Sequence, residues 1–359
     1  MKHLVVMAAG TGGHVIPGLA VAAEMQRRGW SVSWLGTQTG MENRLVPPAG
    51  IMLDRVSFAG MRGKGPLGNF LGAMKLLIAF RTCSRLLMKR RADAVLGMGG
   101  YVCFPAGWMA WLQARPLLLV NADASLLLSN KALQWPARKI AFGFAGEASE
   151  AMGKKAVVTG NPVRAEIEAV DAPAERFAGR SGALRLLVVG GSLGARVLND
   201  CVPQAIALLP RAERPEVTHQ TGEAGHAAVG SAYAASQTKA EVLPFIDDMA
   251  QRLASSDLIV CRAGAITVSE LCAAGVASVL VPLVVSTTSH QRDNASWMAG
   301  QGVAIHLPQS ELSAKKLADV IAGLTRDALL AMATKARSLA RPHAASRVAD
   351  EIEAMVVPA

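Results

Sequence analysis

Leu4-Val5-Val6-Met7-Ala8-Ala9-Gly10-Thr11-Gly12-Gly13-His14-Val15-Ile16-Pro17-Gly18 is the stretch whose reading decides the fold. The run from Leu4 to Ala9 is apolar throughout, the pattern of a parallel strand buried on both faces. Glycines then turn the chain, and Leu19, Ala20, Ala22, Ala23 and Met25 continue as helix formers. A strand, a glycine turn and a helix N-terminus aim bare N–H groups and the positive end of a helix dipole at one point. Such a point holds an anion, most often a phosphate. His14 stands in the middle of the turn, where it either caps and packs or takes part in chemistry.

Working outward, residues 31–35 and 54–59 read as the next strands, and the glycine-rich segment 60–68 as a loop. A helix is expected over about 69–91. On it Phe70, Met74, Leu77 and Ile78 form an apolar stripe, and the same i+4 row continues as Arg81, Arg85 and Lys89. This greasy-to-basic side either lies on an anionic bilayer or belongs to a crossover helix packed by its first half. Further strands are expected at 94–96, 117–120, 140–144 and 156–159, so an open parallel sheet with helices on both faces is predicted. The segment Gly160-Asn161-Pro162-Val163-Arg164 reads as a connection between domains. The pattern then restarts: an apolar run at 184–189, Gly190-Gly191-Ser192-Leu193-Gly194-Ala195, and a helix over 197–209. Strands at 216–220, 240–243, 257–261 and 277–282 and helices at 314–325 and 328–340 complete a second α/β domain. A last helix over about 344–356 is expected to return to the first domain.

Two domains also suit the length of 359 residues. The expected boundaries are 1–163 for the first, with 341–359 returning to it, and 164–340 for the second. Lys and Arg number 37 against 27 Asp and Glu, a net charge of +10 that favours anionic partners. Aromatic residues make up only 4% of the chain, too few for the base-stacking platforms of single-strand nucleic-acid binders. The five cysteines include no CxxC pair, so neither a zinc site nor a disulfide framework is expected. The uncharged windows 94–114 and 271–291 are broken by glycine and proline and read as buried strands and loops, not membrane spans. The first strand starts directly after Met1-Lys2-His3, so no signal peptide is expected.

In doubly wound sheets ligands bind outside the carboxyl ends of the strands. The polar and glycine-rich segments 11–14, 99–101, 121–123, 191–195 and 262–270 all fall there, and two such domains facing a cleft suit a nucleotide or sugar phosphate. Dinucleotide oxidoreduction fails on detail: Val15 replaces the third glycine of GxGxxG, and the second strand ends Trp34-Leu35-Gly36-Thr37 with no acid for a ribose. There is no GxxxxGK[ST] loop and no DxD, so a leaving diphosphate would be held by loop amides and a helix dipole near Ser192, with no metal or cofactor.

These segments are similar, in order, to the signatures of the MurG family of peptidoglycan N-acetylglucosaminyltransferases. The matching runs are Ala9 to Gly18, Gly97-Met98-Gly99-Gly100-Tyr101-Val102, Gly160 to Arg164, Val189 to Ala195, and Phe245-Ile246-Asp247-Asp248-Met249. Cys261 to Glu270 and Gln291-x-x-Asn294-Ala295 follow, so the matches cover nearly the whole chain. The resemblance implies a GT-B fold of two Rossmann-like domains and inverting transfer of N-acetylglucosamine from UDP-GlcNAc to the C4 hydroxyl of the muramyl sugar of lipid I, giving lipid II. It implies work at the cytoplasmic face of the bacterial inner membrane, with Phe70, Leu71, Met74, Lys75, Leu77, Ile78, Arg81 and Arg85 on the anionic surface, joined by Leu67, Arg62, Lys64, Trp108 and Trp111. By resemblance the second domain takes the donor: the Ile246 backbone at uracil, Glu270 at the ribose, and Ser192 with Ala265, Ile266 and Thr267 at the diphosphate. Val268 and Ser269 of the same run are expected to bind the donor as well. Gln291 would hold the sugar, and Arg164 with Thr11, Gly12 and Gly13 would close the site. His14 would be the general base, since the positive helix end favours the neutral imidazole that accepts a proton. Tyr101, Asp123, Asn130, Asn199 and Arg262 are further donor- or acceptor-side candidates, Arg262 either meeting phosphate or pinning its loop. Val120-Asn121-Ala122-Asp123 departs from the His-Glu-Gln-Asn usual in the family, leaving His14 or Asp123 as the base. Two alternatives remain at this stage, a UDP-GlcNAc epimerase of the same architecture and a non-enzymatic basic membrane-binding protein.

Overall fold

The computed structural model describes residues 1–10, 12–57, 65–191, 194–283 and 289–356, with the side chains of all of these except 65–71. Thr11, Arg62, Lys64 and Ser192, and the side chains of Leu67, Phe70 and Leu71, lie outside the described residues. The chain separates into two compact units, Met1–Pro162 together with the chain from His343 onward, and Val163–Pro342.

The first unit is built on seven parallel strands: β1 His3–Ala8, β2 Ser31–Gly36, β3 Met52–Arg55, β4 Ala94–Gly99, β5 Leu117–Asn121, β6 Lys139–Phe142 and β7 Ala156–Val158, in the order β3-β2-β1-β4-β5-β6-β7. The uninterrupted apolar run of β1 has a simple cause. Leu4, Val6 and Ala8 enter the core on one face of the sheet, and Val5, Met7 and Ala9 enter the core on the other. The buried Trp34 of β2 donates its indole N–H to Ala8 O at 2.8 Å, tying down the end of β1 where the glycine turn begins. Val348, Ala349, Ile352 and Met355 of the helix Ala344–Val356 pack into the same core as Leu4 and Val6. Arg28 secures that helix through Asp350 at 2.7 Å and Glu353 at 2.8 Å.

The second unit repeats the plan with six parallel strands, β8 Arg185–Val189, β9 Glu216–Gln220, β10 Ala240–Leu243, β11 Leu258–Cys261, β12 Ala277–Leu280 and β13 Ala304–His306, in the order β10-β9-β8-β11-β12-β13. In both sheets the strand order reverses beside the first strand, between β1 and β4 and between β8 and β11. The loops leaving those strands are therefore the natural ligand loops of each unit.

Three elements differ from expectation. β3 begins two residues before and ends four residues before the expected 54–59, because the ladder with β2 pairs Ser33–Gly36 with Met52–Arg55 and closes with Val56 N–H donating to Gly36 O. β13 has no counterpart in the sequence reading; three residues are too short to show an alternation. The long helix is Gly65–Arg90 (called α3 below), and its packed face is Ala79, Cys83 and Leu87, not the Met74–Ile78 stripe. Met74, Leu77 and Ile78 are 45%, 59% and 57% exposed. Among the described residues no helix is long and apolar enough to cross a membrane.

Candidate active site

On the first unit, Gly10 takes φ +100° and lets the chain swing from β1 into the helix Gly12–Arg27 (α1). His14 lies in the first turn of α1. Pro17 has no N–H to give, so the helical bond to the Gly13 carbonyl is absent. The turn after β4 docks against this one, with Ala9 N–H donating to Gly99 O at 3.3 Å. Gly99 has φ +126°, and a Cβ there would come within 2.6 Å of His14 Nδ1, so only glycine admits the imidazole. Tyr101, just beyond, is 56% exposed.

The loop after β5 is organised from within. Asn121 is fully buried; its Nδ2 donates to Asp123 O at 2.8 Å and Ser125 O at 3.0 Å, and its Oδ1 accepts from Leu127 N–H at 2.9 Å. Asn130, also buried, donates to Val120 O at 2.9 Å and Asn121 Oδ1 at 3.1 Å. Asn161 donates to Ala122 O at 2.8 Å. Three buried asparagines thus set where Asp123 stands. Asn130, expected on the acceptor side, holds that loop through its amide nitrogen.

On the second unit, the loop after β8 is stitched to the end of β9. Gly191 N–H donates to Gln220 Oε1 at 3.1 Å, and Gln220 Nε2 reaches Pro244 O at 3.0 Å. Gly194, at φ +75°, lies so close to Thr221 that a Cβ would overlap its carbonyl oxygen. Asn199, in the first turn of the next helix, donates to Thr221 O at 3.0 Å. It therefore shapes this loop through the backbone. Ile246 is buried, while Phe245 beside it is exposed.

The loop after β11 leads into the helix Ala265–Ala274, whose first bond is Val268 N–H to Gly264 O at 2.9 Å. The amides of Ala265, Ile266 and Thr267 precede that bond and have no helical acceptor, the usual anion-binding end of a helix. Val268 and Ser269 are placed differently. Val268 is fully buried with its amide already used, and Ser269 is buried with its hydroxyl donating to Ala265 O at 2.9 Å. Arg262 is half-buried and donates to Val281 O at 3.1 Å and Gln309 Oε1 at 3.0 Å, so it pins its loop. Burial holds its guanidinium below the ordinary value. Asn294 supports the same loop through Ala263 O at 3.0 Å, and Gln291 Oε1 accepts from Leu283 N–H at 2.8 Å.

Glu270 lies in the second turn of that helix with its side chain 13% exposed, and its Oε1 accepts from Arg164 Nε at 2.8 Å. Burial pushes its carboxyl above the usual glutamate value, and Arg164 works in the opposite direction. Two residues expected to meet the donor separately are thus partners of one another. In Arg164→Gln the counter-charge is gone, so the carboxyl should rise further. If Glu270 meets the donor, titrations with UDP-GlcNAc should then lose affinity on acidification at a higher pH than in the parent, because a protonated carboxyl no longer accepts two hydroxyl hydrogen bonds. Parallel pH dependence in the two proteins would separate the pair from donor binding.

Two parallel α/β units, each with a glycine loop and helix N-terminus at its switch point, and a carboxylate beside the second of them, have the architecture of the GT-B class. Residues 4–142 match the glycosyltransferase family 28 N-terminal domain and residues 185–352 the glycosyltransferase family 28 C-terminal domain. The chain belongs to glycosyltransferase family 28. It is 65% identical, over 99% of its length and 98% of the relative's, to the UDP-N-acetylglucosamine–N-acetylmuramyl-(pentapeptide) pyrophosphoryl-undecaprenol N-acetylglucosamine transferase of Methylibium petroleiphilum. The protein of the same name from Chromobacterium violaceum is 64% identical over 97% of both chains. The crystal structure of Acinetobacter baumannii MurG superposes with a TM-score of 0.87 at 36% identity, covering 99% of this chain and 100% of that one.

Proposed function

We propose that this protein transfers N-acetylglucosamine from UDP-GlcNAc to the C4 hydroxyl of the muramyl sugar of lipid I, with inversion, giving lipid II. The observation that carries this reading is end-to-end identity of 65% to a transferase of that name, in a chain that keeps both glycine loops and the Glu270 carboxylate. The second unit takes the donor. The amides of Ala265 to Thr267 and the Ser192 loop receive the diphosphate, where negative charge grows as the glycosidic bond breaks. Glu270 accepts the ribose hydroxyls, the Ile246 backbone reads uracil, Gln291 meets the sugar, and Arg164 moves between Glu270 and the ligand. The first unit presents the acceptor to Thr11, Gly12, Gly13 and His14, with Tyr101 and Asp123 on the acceptor side. His14 takes the proton of the attacking hydroxyl, and inversion follows from one displacement. Labelled UDP-GlcNAc with a lipid I analogue should give the disaccharide product. Turnover of the donor alone would favour an epimerase, and no turnover at all would leave only a binding protein.

The acceptor carries a polyprenyl chain, and α3 offers it a membrane face. Met74, Leu77 and Ile78 are exposed beside the exposed cations Lys75, Arg81 and Arg85. Trp111 and Trp135, in ring contact with centroids 4.9 Å apart, add two exposed aromatics; the sequence reading singled out the first but not the second. The protein works peripherally at the cytoplasmic face. Leu77→Asp with Ile78→Asp should weaken sedimentation with anionic vesicles by roughly tenfold or more, since each side chain buries about 1.5–3 kcal/mol of apolar surface. Activity on a short-chain soluble acceptor should be unchanged, and equal vesicle binding by the double variant would remove this face from the reading.

A further inference from the structure

One fully buried carboxylate in the first unit has no part in the chemistry above. Glu42 opens the four-residue helix Glu42–Leu45, and its side chain turns inward beneath the β1–α1 loop. Its Oε2 accepts from Gly10 N–H at 3.0 Å. Its Oε1 accepts from Thr37 N–H at 2.8 Å and from the Thr37 hydroxyl at 2.7 Å. The neighbouring Met41 N–H donates back to Gly10 O at 3.0 Å, so both sides of Gly10 are held by the same loop. Room for the carboxylate comes from Gly40, where a Cβ would overlap Glu42 Oε2. Burial would raise the carboxyl, but the Thr37 hydroxyl, the Thr37 amide and the Gly10 amide outweigh it, and the group lies below the usual glutamate range.

A buried charge is costly to keep, and a neutral side chain of the same shape does not replace this one. Three donors converge on two oxygens. A glutamine would present an NH₂ either to Gly10 N–H or to the Thr37 amide, setting donor against donor. We infer that Glu42 is a positioning residue for the transfer reaction: it fixes the Gly10 turn from which α1 starts, and through it the placement of His14. The inference rests on the reading of His14 as the base. Misplacing a reacting group by an ångström far from the chemistry can cost about 100-fold in rate, whereas donor binding on the second unit has no reason to change.

The test compares the full-length parent, Glu42→Gln, Thr37→Val and His14→Ala for kcat with a lipid I analogue, for donor KM, and for UDP binding, normalised to the folded fraction by circular dichroism. Glu42→Gln is expected to lower kcat by about 10- to 100-fold with donor KM and UDP affinity within about twofold, and Thr37→Val to lower kcat by about threefold. A purely structural role would lower the melting temperature and leave kcat per folded molecule intact, and a kcat within twofold of the parent in Glu42→Gln overturns the inference. Should Glu42→Gln not fold, Thr37→Val decides: an unchanged kcat there overturns it equally. An inactive parent would instead sink the transferase reading. An active parent with a fully active His14→Ala would show that the turn does not act through His14, which also overturns the inference.

Discussion

Replacing His14 by alanine should lower kcat by roughly 10²- to 10⁴-fold while the affinity for UDP-GlcNAc stays within about twofold, the signature of losing a general base and nothing else. The imidazole belongs to the first unit, and the groups proposed to bind the nucleotide belong to the second, so the two effects separate cleanly. The ring is seated against Gly99, where a Cβ would stand 2.6 Å from Nδ1. Gly99→Ala should therefore reproduce much of the kcat loss by displacing the imidazole while leaving it in the chain. Single-turnover transfer to a lipid I analogue with saturating donor measures the chemical step directly. If His14→Ala keeps parental kcat and Asp123→Ala loses it, the proton goes to the carboxylate that Asn121, Asn130 and Asn161 hold in its loop.

Asp257→Ala should destabilise the second unit by about 3–5 kcal/mol, the usual consequence of stripping one partner from a buried ion pair. The Asp257 side chain is fully buried, and its Oδ1 accepts from Arg180 Nη1 at 2.6 Å. Its Oδ2 accepts from Arg185 N–H at 2.9 Å and from Arg326 Nη2 at 3.3 Å, so one carboxylate joins the start of β8 to two otherwise separate segments. Arg180 also donates to Ser256 O at 3.1 Å and Ala254 O at 2.7 Å, but its charge would be left buried and uncompensated. For a unit of this size the loss corresponds to a fall in Tm of roughly 10 °C, readable by differential scanning calorimetry. A shift under about 2 °C would mean that water or a rearranged Arg326 replaces the carboxylate.

Local signals carried much of this protein and misjudged particular residues for definable reasons. The strands 216–220 and 240–243 were readable to the residue because they are short alternating or apolar runs bounded by turn residues. β3 was misplaced because its bounds are set by pairing to β2, which is non-local. Val268 and Ser269 share a motif with the donor-side residues, and only the fold shows that the helix buries both side chains. Glu42 falls in a segment between two strands to which the sequence reading gave no role. The one local hint was the pair Gly36 and Gly40 before it, which makes sense only once something large is known to fill the space between them.

The sequence by itself determined the class of this protein, because strand–glycine–helix units repeat on the apolar periodicity that any doubly wound sheet requires. It also pointed to the segments past the carboxyl ends of the strands, since in such a sheet the loops there open to ligand. The tertiary structure alone decided what each side chain in those loops does. It paired Arg164 with Glu270, turned Arg262, Asn130 and Asn199 into backbone supports, left the Met74–Ile78 stripe uncovered, and buried Glu42 beneath the turn that carries His14. The physical reason is that periodicity is local, whereas the partner of a polar group is chosen by whichever distant backbone the fold brings within hydrogen-bonding reach.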